Sequence, residues 1–239
     1  VAVINQAVTK GLDTNVPMKD SGIEWLGQIP EHWDKPRMKF ICEFILDGTH
    51  GSFQRVDEGF RLLSVRNIIN NKFVLRDDDS MVSLEDFEVI SKRFLIQKND
   101  IQLAIVGATL GKVAIVDDLP EKIVTQRSLA TIRLNEKLCN PHFLYCFLLS
   151  EKFQTYLWLN AGFSAQPGVY LGTLQNCSIP LPDLITQNQI IDFISEKSKT
   201  FDIVISKSHQ EIELLKEYKT ALISEVVSGK VDVRNEKLN

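Results

Sequence analysis

The chain ends in a long stretch that contains neither proline nor glycine. This stretch begins near Thr186 and stops at Gly229; its length of about 42 residues would span about 60 Å as an α-helix. Thr186 and Gln189 have the spacing of a capping box, and glycine is common just past a helix end. We therefore predict one long helix over 186–230.

Apolar residues recur along this predicted helix in alternating steps of three and four. That spacing is typical of a coiled-coil seam, the face that packs against a partner helix. A helix of this length is longer than the diameter of a domain of this size. We therefore expect it to have a partner rather than to lie on a domain surface. Polar seam residues help to fix register and partner choice. The seam comprises Ile191, Ile194, Ser198, Phe201, Ile205, Ser208, Ile212, Leu215, Lys219, Leu222 and Val226.

Two short segments near the two ends of the chain have similar sequences. Ala2–Thr9 (AVINQAVT) matches Ala221–Ser228 (ALISEVVS) in its order of apolar and polar residues, and a glycine follows each copy. The first copy is therefore interpreted as the tail of a helix that begins before residue 1, equivalent to the tail of the long helix.

The region between the two copies is predicted to form an α+β fold: a β-rich mixed globular domain, followed by the long C-terminal coiled-coil helix. Short helices are expected from Ser83, with Asp86 completing a capping box, and over 141–159, capped by Asn140. Three prolines in 11–36 exclude a long regular element there. The predicted strands are Arg61–Arg66, Phe94–Gln97, Ile101–Val106, Val113–Val116, Leu129–Leu134 and Ser178–Leu181.

Composition narrows the class of protein. The four cysteines have no metal-ligand spacing and favour reduced thiols in a cytoplasmic protein. No apolar run is long enough to cross a bilayer. The net charge of −4 gives no general basic excess, so a nucleic-acid partner would need a local basic surface. The acidic runs at 77–79 and 117–118 are expected to lie apart from the basic residues.

Sequence templates for catalysis are not met. Gly107–Lys112 resembles a phosphate-binding loop but is one residue short, and Val113 occupies the position of the metal-binding Ser or Thr. No metal or catalytic residue is predicted. The polar loops between strands are instead expected to bind DNA bases and phosphates. The predicted DNA-binding residues are His50, Gln54, Arg55, Arg66, Lys112, Arg127 and Gln166.

Several motifs resemble the DNA-sequence specificity subunit of type I restriction–modification systems. Met18–Trp33 is similar to the family's entry into a target recognition domain, and Ala221–Arg234 to its helix terminus. Asp183–Gln187 departs from the family's usual turn, and Asn99 stands where a glycine is usual. Further similar segments are Asp47–His50, Leu63–Ile68, Asn99–Ile101, Gly107–Lys112 and Ile179–Pro182.

The resemblance implies a noncatalytic subunit whose two recognition domains each read half of a split DNA site, with two long helices setting the gap. It implies methyltransferase and restriction subunits as partners, which would carry S-adenosylmethionine, ATP and Mg²⁺. This chain would be the C-terminal half. Its expected parts are a helix tail and linker (1–17), a target recognition domain (18–185), the conserved helix (186–230) and a tail (231–239).

Two alternatives remain open at the level of sequence. The chain could be a coiled-coil scaffold that binds another protein without nucleic acid, or an enzyme with unfamiliar catalytic residues. Two copies of the chain could also pair through the C-terminal helix.

Overall fold

The computed structural model describes residues 2–162, 166–230 and 232. The chain divides into two compact units, Val1–Asp192 and Phe193–Asn239. The helices are α1 (Ala2–Lys10), α2 (Leu84–Ser91), α3 (Pro141–Leu148), α4 (Glu151–Leu159), α5 (Leu171–Asn176) and α6 (Leu184–Val227). The strands are β1 (Met18–Asp20), β2 (Gln28–Pro30), β3 (Cys42–Asp47), β4 (Phe60–Leu63), β5 (Ile68–Ile69), β6 (Lys72–Phe73), β7 (Met81–Val82), β8 (Ile101–Ala104), β9 (Val113–Ile115), β10 (Val124–Thr125) and β11 (Leu129–Leu134). The predicted α+β class, with a long C-terminal helix, is confirmed.

The first unit is built on a six-stranded sheet in the order β3-β11-β8-β9-β6-β5. Strand β11 pairs antiparallel with both β3 and β8, so it is an interior strand of the sheet, and its apolar residues are buried. A second sheet has the order β10-β4-β7, and β1 and β2 form a hairpin. Asp47, the last residue of β3, pairs with Ala130 near the start of β11. The loops that leave β3 and enter β11 therefore lie side by side.

The helix α3 fills the core beside this sheet. Phe143, Leu144 and Phe147 are fully buried, and α3 packs against α1 and β9. Asn140 caps α3 and Pro141 occupies its first turn, as predicted. The single helix predicted over 141–159 is wrong, because Ser150 caps a separate helix, α4, by accepting a hydrogen bond from the Phe153 N–H.

The repeated segments are both helix ends closed by a glycine. Gly11 has a φ of +81° and donates its N–H to the Ala7 carbonyl. Gly229 has a φ of +74°, and the next residue, Lys230, donates to the Glu225 carbonyl. Both are left-handed caps, a conformation that glycine adopts without a Cβ clash. Both copies are helical and end at a glycine, as predicted; that α1 continues a helix beginning before residue 1 stays a prediction.

The segment 11–36, which contains β1 and β2, is fixed to the rest of the globular unit. Trp33 and Leu26 are fully buried, and the Trp25 ring lies 4.8 Å from that of Tyr156. These large apolar side chains therefore fix the segment 11–36 to the globular unit.

The long helix begins earlier than predicted. Its cap is Asp183, whose carboxylate accepts hydrogen bonds from the Thr186 N–H and hydroxyl. The predicted capping box of Thr186 and Gln189 is therefore wrong, because Asp183 starts the helix at Leu184 instead. Gly229 ends the helix as predicted. The helix belongs to the first unit as far as Asp192, and its remaining residues, Phe193 to Val227, belong to the second.

In the second unit, the coiled-coil seam of α6 is exposed. Phe201, Ile205 and Leu215 are each more than half exposed. The described residues of this unit supply no cover for the seam, so the apolar face is available to a partner. Pairing of the helix remains a prediction, as do the domain boundaries. The predicted tail 231–239 lies outside the described residues, apart from Asp232.

Two predicted strands are wrong. In 94–97 the backbone bonds to side chains: the Leu95 carbonyl accepts from Arg133, and the Gln97 N–H donates to Asp100. Residues 178–181 form only isolated bridges to Asp34 and Arg37. Among the described residues, no helix is both long enough and apolar enough to cross a membrane.

Candidate nucleic-acid interface

The loop that follows β3 is clamped onto the segment that follows β10. The Gly48 N–H donates to the Leu129 carbonyl, the Thr49 N–H to the Thr125 carbonyl, and the Arg127 N–H to the Thr49 carbonyl. A Cβ on Gly48 would stand 2.2 Å from the Thr125 carbonyl oxygen, so only glycine permits this approach. The clamp places His50 and Arg127 on one surface although they are far apart in sequence.

Asp47 joins two basic side chains at the base of this loop. Its Oδ2 lies 2.5 Å from His50 Nε2, and its Oδ1 lies 3.1 Å from Arg93 Nη1. Arg93 Nη1 also donates to the Asp47 carbonyl at 3.0 Å. The side chain of Asp47 is 14% exposed and that of His50 is 61% exposed. A shielded carboxylate thus holds an imidazole that remains open to solvent.

A second pair of segments closes the other side of the surface. The Val169 N–H donates to the Ile105 carbonyl, and the Gly107 N–H donates to the Pro167 carbonyl. Gly168 bridges to both Val106 and Gly162. These bonds hold the segment before α5 against the end of β8.

The four segments enclose an open groove of about 580 Å³. Its wall is mainly apolar, and its rim carries a carboxylate, an imidazole, a guanidinium and an amide. Such a rim can offer hydrogen bonds to base edges and a positive charge to a phosphate. The groove is lined by Asp47, His50, Ile105, Val106, Arg127, Gly162, Gln166, Gly168, Val169, Tyr170 and Leu171.

Three of the seven predicted DNA-binding residues, His50, Arg127 and Gln166, meet at this groove. Gln54 and Arg55 are exposed farther along the loop that carries His50 but do not line the groove. The role of each of these residues in DNA binding stays a prediction.

Lys112 lies elsewhere, at the turn between β8 and β9. Its side chain is exposed, whereas four N–H groups of the turn are already hydrogen-bonded. The N–H groups of Gly107, Leu110, Gly111 and Lys112 all donate to backbone carbonyls. Lys112 can therefore meet a phosphate only through its ammonium group.

Arg66 is held within an acidic cluster. Its Nη2 donates to the Asp78 carbonyl and lies 3.2 Å from the Asp78 carboxylate. Asp79 is buried and bonds Arg61 and the amide of Asn67. The expectation that the acidic run 77–79 lies apart from the basic residues is therefore wrong, and Arg66 offers less free charge than its sequence position indicates.

Sequence reasoning missed Tyr170. This side chain lines the groove and is 83% exposed. Its backbone is anchored at the start of α5, where its carbonyl accepts from the Thr173 N–H. The sequence does show an aromatic residue between Gly168 and Gly172. This pattern could have indicated a DNA contact, because aromatic rings stack on bases and pack against thymine methyl groups.

Comparison with known proteins supports a single family. The type I restriction modification DNA specificity domain matches residues 33–214. The EcoBI type I restriction enzyme specificity subunit of Escherichia coli is 30% identical over 174 residues, which cover 68% of this chain and 34% of that protein.

Two solved structures share the fold. The HsdS subunit from Thermoanaerobacter tengcongensis gives a TM-score of 0.61 at 16% identity and covers 90% of this chain and 48% of that one. A chain from a study of complex assembly and conformational transition of the type I R-M system gives 0.63 at 16% identity, covering 82% and 46%. The chain thus aligns with less than half of each of these relatives.

Proposed function

Because the chain belongs to the type I restriction modification DNA specificity family, we propose that it recognises DNA sequence and carries out no chemistry itself. The observation that supports this most directly is the groove between the β3 loop and the segment before α5. It gathers His50, Arg127 and Gln166 from three distant segments. Sequence-specific binding needs such a set of donors and acceptors on one rigid surface.

We propose that the first unit binds the major groove. The groove rim would contact base edges, and Gln54 and Arg55 would extend the contact along the same strand. Lys112 would contact a phosphate. Arg66, already paired with acids, would add little to the phosphate contacts. Tyr170 would stack on a base or pack against a thymine methyl group.

We propose that this chain reads one half of a split site. The relatives it matches are about twice as long or longer, which leaves room for a second recognition unit. The exposed seam of α6 would pack against a second long helix, from another part of the same subunit or from a second copy. Methyltransferase and restriction subunits would dock on this assembly in the cytoplasm and would carry S-adenosylmethionine, ATP and Mg²⁺.

Titration of labelled duplex DNA with the full chain, with and without methyltransferase subunits, tests this proposal. Binding should weaken as salt rises, since each phosphate contact releases a counterion and adds about 0.9 to the log–log slope. Replacing Arg127 with Ala should lower affinity by about 1–3 kcal/mol. Lys137, an exposed basic residue that does not line the groove, provides a matched charge control.

Absent binding, or binding that does not change with salt, would contradict the proposal. It would favour the alternative of a coiled-coil scaffold that binds another protein without nucleic acid.

A further inference from the structure

The contacts of Asp47 fix which hydrogen-bonding character His50 presents to the groove. A carboxylate has lone pairs but no proton, so it can only accept a hydrogen bond. His50 Nε2 lies 2.5 Å from Asp47 Oδ2, and this contact is favourable only when Nε2 carries the hydrogen. In the neutral ring the other nitrogen, Nδ1, then has a lone pair and no hydrogen.

The carboxylate is itself held in place. Arg93 Nη1 contacts both the Asp47 side chain and the Asp47 carbonyl. Gly48, directly after Asp47, is clamped to Leu129 through its N–H and lies close to the Thr125 carbonyl. These contacts hold the Asp47 carboxylate in the position from which it meets His50. The charged groups around the imidazole are Asp47, Arg93 and Arg127.

We propose that Asp47 is a positioning residue that makes neutral His50 a hydrogen-bond acceptor, and that His50 Nδ1 reads an exocyclic amino group in the major groove. The amino groups available there are adenine N6 and cytosine N4. A neutral His50 in this tautomer has no proton to offer the acceptor atoms of guanine. This inference rests on the proposed DNA-recognition function.

The proposal is tested by atom-by-atom substitution in a duplex. A duplex bound by the full chain is first selected from a randomised library. At pH 8, where an ordinary imidazole is neutral, adenines are replaced one at a time with unsubstituted purine and cytosines with 2-pyrimidinone. Both analogues lack the exocyclic amino group. A parallel series uses 7-deazapurines, which lack the N7 acceptor.

We expect one position at which loss of the amino group weakens wild-type binding about tenfold, the scale of one base-edge hydrogen bond. The variant H50A should lose sensitivity at that position and keep it elsewhere. D47N should lose the same sensitivity, because an amide can donate to Nε2 and reverse the tautomer. The exposed residue Asp57 gives the matched control, and D57N should behave as wild type.

The test is decided at the base position whose sensitivity is lost in H50A. Sensitivity there to 7-deazapurine instead of amino loss would overturn the proposal, as would a D47N profile identical to that of wild type. A uniform loss of affinity at all sequences in H50A would mean that His50 contacts a phosphate and would also overturn it. If D47N does not fold, H50A still decides, because the His50 side chain is mostly exposed. A failure to select any duplex would instead contradict the proposed function.

Discussion

At the scale of single residues, the candidate interface depends on close backbone approaches more than on charge. Gly48 lets the β3 loop touch the segment after β10. Away from the interface, Asn99 has a φ of +71°. The related family usually has glycine at the position of Asn99. A left-handed backbone at this position explains both the usual glycine and the asparagine of this chain, since Asn is among the few other residues that tolerate this conformation.

Replacing Gly48 with Ala should damage the interface. The new Cβ would meet the Thr125 carbonyl oxygen, and relieving this clash should cost about 1–3 kcal/mol of unfolding free energy. Urea unfolding measures this cost, and duplex titration should show weaker binding. Gly172→Ala is the matched control: its Cβ meets no atom within 4 Å, and a helical Gly→Ala change stabilises by about 0.5–1 kcal/mol. Equal free energies of unfolding for the two variants would contradict the close approach of Gly48 to Thr125.

At the scale of elements, the start of α6 is set by a carboxylate. Hydrogen bonds from the Thr186 N–H and then from its hydroxyl lower the pKa of Asp183. A lowered pKa means that the ionised form stabilises the folded state. This contribution is present above the carboxyl's unfolded pKa and is lost as the pH falls through the folded one.

Replacing Asp183 with Ala should therefore cost about 1 kcal/mol at neutral pH, as is typical of a lost helix cap. The difference from wild type should shrink as the pH is lowered below about 4. Thermal unfolding across pH measures it, with D192A, an exposed acid in the interior of α6, as the control. A difference that stays constant down to low pH would show that the carboxylate charge is not involved.

The seam of α6 also has a direct test. Ile205 and Ile212 both lie on it, whereas Leu214, nine residues after Ile205, lies on the opposite face of an α-helix. If the isolated chain pairs through the seam, I205D/I212D should weaken self-association at least tenfold. L214D changes a residue that is similarly exposed and should have little effect. Light scattering measures the mass; a wild-type monomer would contradict pairing of this chain with itself.

The elements were predictable where local sequence decides them. The long helix, its terminal glycine and the cap at Asn140 all follow from residues close in the chain. The wrong strand at 94–97 is different, because Arg133, which is distant in sequence, supplies the hydrogen bond to the Leu95 carbonyl. Strand β3 was missed because Glu43 and Cys42 obscure its apolar pattern, and only its pairing with β11 defines it.

At the scale of the whole molecule, the groove could not be predicted as a unit. His50, Arg127 and Gln166 were each chosen from polar loops, but the sheet order that brings them together is not readable from one sequence. Tyr170 was missed although its place between Gly168 and Gly172 is a local signal. Arg66 was predicted to bind DNA, but a neighbouring loop supplies acidic side chains that pair with it. This pairing could not be predicted from the sequence either.

We propose that this chain determines which DNA sequence is recognised. This proposal is tested most directly by exchanging residues 18–185 for the equivalent segment of another family member, in cells that contain the methyltransferase subunits. Sequencing of modified bases then gives the recognised motif. We expect one half of the split motif to change while the other half and the gap between them stay the same. An unchanged motif, after a swap that leaves methylation intact, would contradict it.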